Sequence, residues 1–543
     1  MSSTFGCFST ARLGIYAAQK GLDVTGNNIT NINTPGYTRQ RLDQVSLVTT
    51  ASDKYFSQYN TRVGQGVLTT GVSQLRDPGL DLLYRGAQSN VGSYGQMLSG
   101  LKDIASILDE VGKGDGEQDD GVILNQLNDL RDLISQAVTN GIDGYDRLIY
   151  SSSKALCRLF NKAATDLSDL KGTYETYLKQ DVSRVNTILS SIQELNVSIR
   201  NADIRGDDAL ELRDQRNNLL DELSGYMKID VKYSDENVGA GLTVEKLTVT
   251  LANDDPNHQH SLIDGEYAAQ FKADLNGDDY PITLEPLKDL DGELKNANDT
   301  SQELLDNDLY GSIQSLREIL TEKGEYATDA DVANDPDAAI KRGIPYYQKA
   351  LDSLAQEFAK QMNALNNVDG VNIPGAGNLF STSSNNNDAE DVDGKCIITA
   401  ANISVSKAWA DGDVSMIASR DPNASSGDTS NLASFLNLFS KTQSFNPGNV
   451  AAGAVGEDSP YEGTFEDMLL RIESTLAEDQ MTVSDVYNNY VITSNEAYTD
   501  RDSVSGVDLN DEATNLMVYQ KAYTAACRLM TTLNDALDSL LAM

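Results

Sequence analysis

Both ends of this chain carry apolar residues in alternating steps of three and four, and that matched pair restricts its fold more than any other feature. At the start, Phe8, Ala11, Ile15, Ala18, Leu22, Thr25, Ile29 and Ile32 share one side of a helix, with Thr25 the only polar member. At the finish, Leu509, Ala513, Leu516, Gln520, Tyr523, Cys527, Met530, Asn534, Leu537 and Leu541 repeat the spacing, and Tyr519, Ala526, Leu533 and Leu540 widen the stripe. Asp508 is placed to cap that second helix, with Asp511 and Glu512 favourable in its first turn. Seams of this length aggregate unless something covers them. Pairing the two helices within one molecule covers one side of each, and the wider C-terminal stripe leaves apolar surface for a neighbouring subunit.

The first helix must stop by Thr34, because Pro35 disfavours α geometry in the residue before it. Pro35-Gly36 suits the centre of a type II turn, and short strands are expected at 45–50 and 66–72. Within 161–205, Leu178, Val182, Val185, Leu189, Ile192 and Ile199 form another long seam, with Asn196 inserted in it. Gly206 should interrupt that helix, and Asp207 or Asp208 should cap the next. From Met227 the period changes to two, so "MKIDVKY" and "KLTVTL" are expected as strands in a turn-rich stretch reaching about residue 295. Helical spacing returns at 310–322, at 344–367 and at about 475–500. The expected fold is mainly α with β insertions and several domains: 1–40 with 505–543, 41–228 with 340–504, and a β-rich 229–339.

Charge separates the ends from the middle. The formal net charge is −40, yet residues 1–50 set Arg12, Lys20, Arg39 and Arg41 against Asp23 and Asp43 for a net of +2. Residues 501–543 hold three basic and six acidic groups, a net of −3, which leaves −39 in between. Such a body repels phosphates, so nucleic acid is not an expected partner. No stretch is apolar for long enough to insert in a membrane, and no basic n-region with an apolar h-region opens the chain.

Catalytic chemistry has little to work with. Only two histidines occur, His258 and His260, and neither HExxH, GxSxG nor a phosphate-binding glycine pattern is found. Asp274, Asn276, Asp278 and Glu285 fall at positions 1, 3, 5 and 12 of a calcium loop, but Asp279 stands where the sharp turn needs glycine and Pro281 follows. An acidic hairpin is the better reading, with no metal, cofactor or catalytic residue assigned. Cys7, Cys157, Cys396 and Cys527 are widely spaced and are expected to be free thiols.

"GLDVTGNNITNINTPGYTRQRL" (21–42) resembles the N-terminal motif of bacterial flagellar axial proteins, and "SVSGVDLNDEATNLMVYQKAYTAACRLMTTLNDALDSLL" (503–541) resembles their C-terminal one. "LELRDQRNNLLDELS" (210–224), "IPYYQKALDSLAQEFAKQMNALNN" (344–367) and "AANISVS" (400–406) resemble the hook-associated protein 1 branch of that family. The likeness covers 1–235 and 340–543. It implies a non-enzymatic subunit of the junction between hook and filament, exported by the flagellar type III route without a cleaved signal and located outside the cell. The implied partners are hook protein, the second junction protein, copies of itself, and a cytoplasmic chaperone at the C-terminal helix. Hook protein, the second junction protein, or an axial protein with an adhesin-like middle are the alternatives. In this reading Asn28, Asn33, Pro35, Gly36 and Tyr37 form a domain joint. Phe8, Ile15, Leu22, Ile29, Leu509, Leu516, Tyr523, Met530 and Leu537 serve core and assembly contacts, and Arg39 and Arg41 pair with acidic groups of the same or a neighbouring subunit.

Overall fold

The computed structural model describes residues 4–47, 66–108, 122–239, 242–252, 260–277, 279–305, 308–368, 373–390, 395–425, 427–445 and 461–542. Twelve helices are named here: α1 (Thr4–Thr30), α2 (Pro78–Leu108), α3 (Val122–Asn140), α4 (Tyr145–Arg205), α5 (Leu210–Tyr226), α6 (Ser312–Thr321), α7 (Asp329–Asn334), α8 (Ile344–Asn366), α9 (Lys407–Asp411), α10 (Ser430–Leu438), α11 (Phe465–Ser505) and α12 (Leu509–Leu541). The strands that matter are β1 (Gln40–Ser46), β2 (Val67–Gln74), β3 (Ile229–Gly239), β4 (Leu242–Leu251), β5 (Ser261–Asp264), β6 (Tyr267–Ala268), β7 (Phe271–Ala273), β8 (Ile282–Leu284) and β9 (Gln302–Leu304). The fold is mainly α with β insertions.

The spine is α4, 61 residues and about 90 Å long. Its buried face carries Leu178, Val182, Val185, Leu189 and Ile192, which belong to one continuous apolar core drawn from residues 101–476. Polar residues on the same face are clamps. Asn186 accepts from Phe271 N at 2.7 Å and donates to Phe271 O at 2.8 Å, and Gln193 donates to the carbonyls of Glu266 and Lys288. Asn196, the polar break in the seam, donates to Gly265 O at 2.9 Å and accepts from Arg216 at 3.1 Å. These bonds seat two antiparallel sheets on the helix, one ordered β3-β4-β5-β6 and the other β7-β8-β9.

Gly206 ends α4 in a left-handed conformation at φ 80°. The expected aspartate cap of α5 is not formed. Ala209 occupies the N-cap at φ 47° with no side-chain cap, and Asp207 instead accepts from Ala209 N two residues on. Arg213 explains the change, because it donates to Asp208 O and to the Asp203 carboxylate and so fixes the connection from the α5 side. The expected strand at 45–50 is displaced to 40–46, and residues 48–50 lie outside the described ones, as do His258 and Asp278. The four cysteines are unpaired.

The terminal helices stand apart from this core. Among the described residues, α1 and α12 contribute no side chain to it. They pack on each other, and α1 also packs against the β1–β2 hairpin.

Candidate functional site

The contact between the terminal helices is shaped by small residues on α1. Ala11, Ala18 and Thr25 are buried there, with Gly14 and Gly21 at intermediate heptad steps. A Cβ at Gly21 would lie 2.5 Å from the Tyr519 ring, and one at Gly14 would lie 3.7 Å from Ala526 Cβ. The face of α12 turned to α1 is therefore the line through Glu512, Tyr519 and Ala526, continued by the half-buried Met530, Leu533 and Leu537. Leu509, Leu516 and Tyr523 sit to one side of that line at 53%, 38% and 38% exposure. Val518 and Leu529 lie on the other side, at 57% and 46%. The missing Cβ atoms of α1 let the bulkier line of α12 approach, which rotates the pairing face away from the most regular apolar stripe. Phe8, Ile15, Leu22 and Ile29 are all partly exposed.

Where α1 ends, polar side chains take over. Asn28, only 1% exposed, meets the backbone of Gln40 as a paired strand would: its Nδ2 donates to Gln40 O at 2.9 Å and its Oδ1 accepts from Gln40 N at 3.0 Å. The Tyr37 hydroxyl donates to the same Oδ1 at 2.9 Å. Asn27 donates to Tyr37 Oη and to Gln40 Oε1, and Asn31 folds back on Asn27. The turn between closes with Tyr37 N donating to Thr34 O, and Gly36 adopts φ 73°. A Cβ at Gly36 would overlap the Asn218 side chain of α5, whose Nδ2 donates to Pro35 O at 3.3 Å. Asn33 is exposed and makes no side-chain hydrogen bond among the described residues.

The same segment is anchored to the body and to α12. Thr38 N donates to Asp214 Oδ2 at 3.1 Å, and Gln40 Nε2 donates to Glu211 at 3.2 Å, both on α5. Arg39 N donates to Ser505 O, at the end of α11, while its guanidinium meets the buried Glu512 at 2.8 Å and Asp511 at 3.6 Å. Among the described residues, Arg41 pairs locally with Asp43. Burial raises the Asp214 carboxyl above the usual carboxylate range, against the hydrogen bonds from Thr38 that lower it. Burial also pushes the Tyr37 phenol up, assisted by Asp214, Glu211 and Glu512. The raised phenol stays a neutral donor toward Asn28.

A second cluster fixes the angle at which α11 delivers the chain to this joint. Arg501 donates to Asp221 on α5 at 2.5 Å and lies 4.1 Å from the Tyr84 ring centroid. Arg85 donates to the other oxygen of Asp221 at 2.7 Å, and Arg76 pairs with Asp81 in a bidentate fork. Three segments that are distant in sequence thus meet on α5. Sequence reasoning singled out Asn28, Asn33, Pro35, Gly36 and Tyr37 for the joint but not Gln40, Glu211, Asp214, Asn218 or Asp221. Only the "RDQRNN" run around Asp214 hinted that α5 had a polar face to satisfy.

Comparison with known proteins bears on all of these elements. Residues 116–380 match the family described as the flagellar hook-associated protein FlgK helical domain. Residues 8–38 match the flagella basal body rod protein family, and 501–543 the C-terminal family of the flagellar basal body rod FlgEFG proteins. Flagellar hook-associated protein 1 of Bacillus subtilis is 27% identical across 100% of this chain and 98% of its own length. The chain belongs to the flagellar hook-associated protein 1 family. The Salmonella typhimurium hook-associated protein 1 is 22% identical over 98% of each chain. A solved structure, the flagellar hook junction protein FlgK from Burkholderia pseudomallei, aligns with a TM-score of 0.39 at 21% identity over 56% of this chain and 47% of that one. Hook-associated protein 1 is a structural flagellar family, not known as an enzymatic one. The two end matches, to the rod-protein families, contain most of α1 and all of α12. Among the described residues, no helix is long and apolar enough to cross a membrane.

Proposed function

We propose that this subunit of the flagellar hook–filament junction presents its terminal helix pair as the inter-subunit core of that junction. The observation that carries the reading is the pair of apolar flanks on α12. Leu509, Leu516 and Tyr523 lie on one side of the α1 contact and Val518 and Leu529 on the other, all exposed. Two different flanks on one helix suit a head-to-tail contact repeated around a ring, each copy covering a different side of its neighbour. The acidic body is then carried outward, and the polar joint at Asn28 and Gln40 sets its attitude to the ring. Residues 1–40 and 505–543 act as one mechanical unit in this reading, while the middle segments serve the outer body.

Copies of the chain, hook protein on one side and the second junction protein on the other are the partners that fit an axial adaptor. Before assembly the same flanks require a cover, which a cytoplasmic export chaperone on α12 supplies. Export without a cleaved signal then delivers the subunit to the extracellular flagellum.

The test is deletion of residues 509–543, complemented in a host lacking its own copy. Hooks without filaments, with filament protein lost to the medium, are the expected result. Normal filaments would overturn the assignment of the junction to the terminal pair.

A further inference from the structure

We propose that Asn276 is a site of spontaneous self-modification, converting to aspartate and isoaspartate through a succinimide. The chain contains two Asn-Gly steps, Asn140-Gly141 and Asn276-Gly277. Glycine in the second place removes the Cβ that otherwise shields the attacking backbone nitrogen. The fold treats the two steps differently. Asn140 ends α3, and Gly141 N donates to Ala137 O at 2.9 Å, so this nitrogen is engaged in closing the helix. Asn140 Nδ2 is also held, by the Tyr145 hydroxyl at 3.0 Å. Asn276 and Gly277 lie exposed in the turn between β7 and β8, with Gly277 at φ 129°. Among the described residues, Gly277 N donates to no acceptor.

The reaction needs only water. Gly277 N loses its proton to solvent base and bonds to Asn276 Cγ. The Cγ–Nδ2 bond breaks, and ammonia leaves with a proton taken from water. A second water opens the ring at either carbonyl, so the net change exchanges ammonia for water.

The outcome matters locally because Asn276 is a donor in this turn. Its backbone N and its Nδ2 both donate to Asp274 Oδ1, at 3.0 and 2.8 Å. Conversion replaces the Nδ2 donor with a second carboxylate facing Asp274. The isoaspartate product also lengthens the backbone beside the Asp274 N to Pro281 O bond that continues the hairpin. The fraction converted rises with the age of the chain.

The experiment incubates the purified full-length chain at mildly alkaline pH and follows both peptides by mass spectrometry, with a parallel sample in urea. In the native chain the Asn276 peptide should gain one mass unit about tenfold or more faster than the Asn140 peptide, since Asn140 must first break its helix-end bond. Urea should bring the two rates together, and Gly277→Ala should slow the native reaction at Asn276. Equal native rates at the two sites, or an Asn276 that reacts only in urea, would overturn the proposal.

Discussion

Replacing Asn28 with alanine removes the side chain that ties the end of α1 to the backbone of Gln40. Three hydrogen bonds are lost, two to the Gln40 backbone and one from the Tyr37 hydroxyl. Gln40 is itself 7% exposed, so its N–H and C=O are left with limited access to water. A typical net contribution of about 1 kcal/mol per bond, together with the cost of unpaired buried groups, gives about 2–4 kcal/mol. That corresponds to an open joint populated roughly 30- to 700-fold more often. The loss should be local, because the main core contains no residue of α1 or α12 among those described. Hydrogen exchange resolved by residue is the direct assay. Exchange at the Gln40 amide should accelerate by that factor, while amides in the middle of α4 keep their wild-type rates. An unchanged Gln40 amide would refute the reasoning, and so would uniform acceleration through α4, which would make Asn28 part of the global core.

Other outcomes follow from single residues. Gly36→Ala should destabilise the joint by about 1–2 kcal/mol or more from its positive φ, and Asn218→Ala should relieve only the overlap, so the double variant remains less protected at Gln40 than Asn218→Ala alone. His260 stands with Nε2 3.7 Å from the Asp308 carboxylate, which, against the lowering effect of burial and with Gln302 at 2.9 Å from Nδ1, raises the imidazole above its ordinary 6.5. A raised folded value means stabilisation present in full below pH 6.5 and lost as pH rises through the folded value, so the melting temperature should fall over that window in the wild type and stay flatter in His260→Gln. Burial pushes the Cys157 thiol up to about 12, so a maleimide at neutral pH should label the exposed Cys7 in the native chain and reach Cys157 only after unfolding.

How much of this was legible depended on distance along the chain. The end of α1 could be read from Pro35 and the asparagines before it, because a proline acts on its immediate neighbour. The alternation in β3 and β4 and the Asp508 cap were equally local, and the structure has the cap, with Asp508 accepting from Asn510 N and Asp511 N. The joint was half visible: Asn28 and Tyr37 lie within a dozen residues of Gln40, whereas Asp214 and Asn218 arrive from α5 across more than 170 residues. Nothing local marks them, since a polar residue on a helix reads the same whether it faces solvent or a partner. Glu512 was read for its place in the first turn of α12, which the structure keeps, but that reading did not show that the side chain is 2% exposed against Arg39. The facing line of α12 was hidden for a related reason: apolar spacing counts large side chains, whereas Gly14 and Gly21 on α1 decide which line of α12 fits closest.

The most direct measurement places a charge on each flank of α12 while leaving the line through Tyr519 and Ala526 intact. Leu516→Asp and Leu529→Asp, tested singly in a host lacking its own copy, should each abolish filaments and release filament protein to the medium. The purified variants should keep wild-type exchange at the Gln40 amide, which shows that the helix pair and its joint still form. Normal filaments from both variants, with that protection intact, would contradict the claim that the exposed flanks of α12 build the junction.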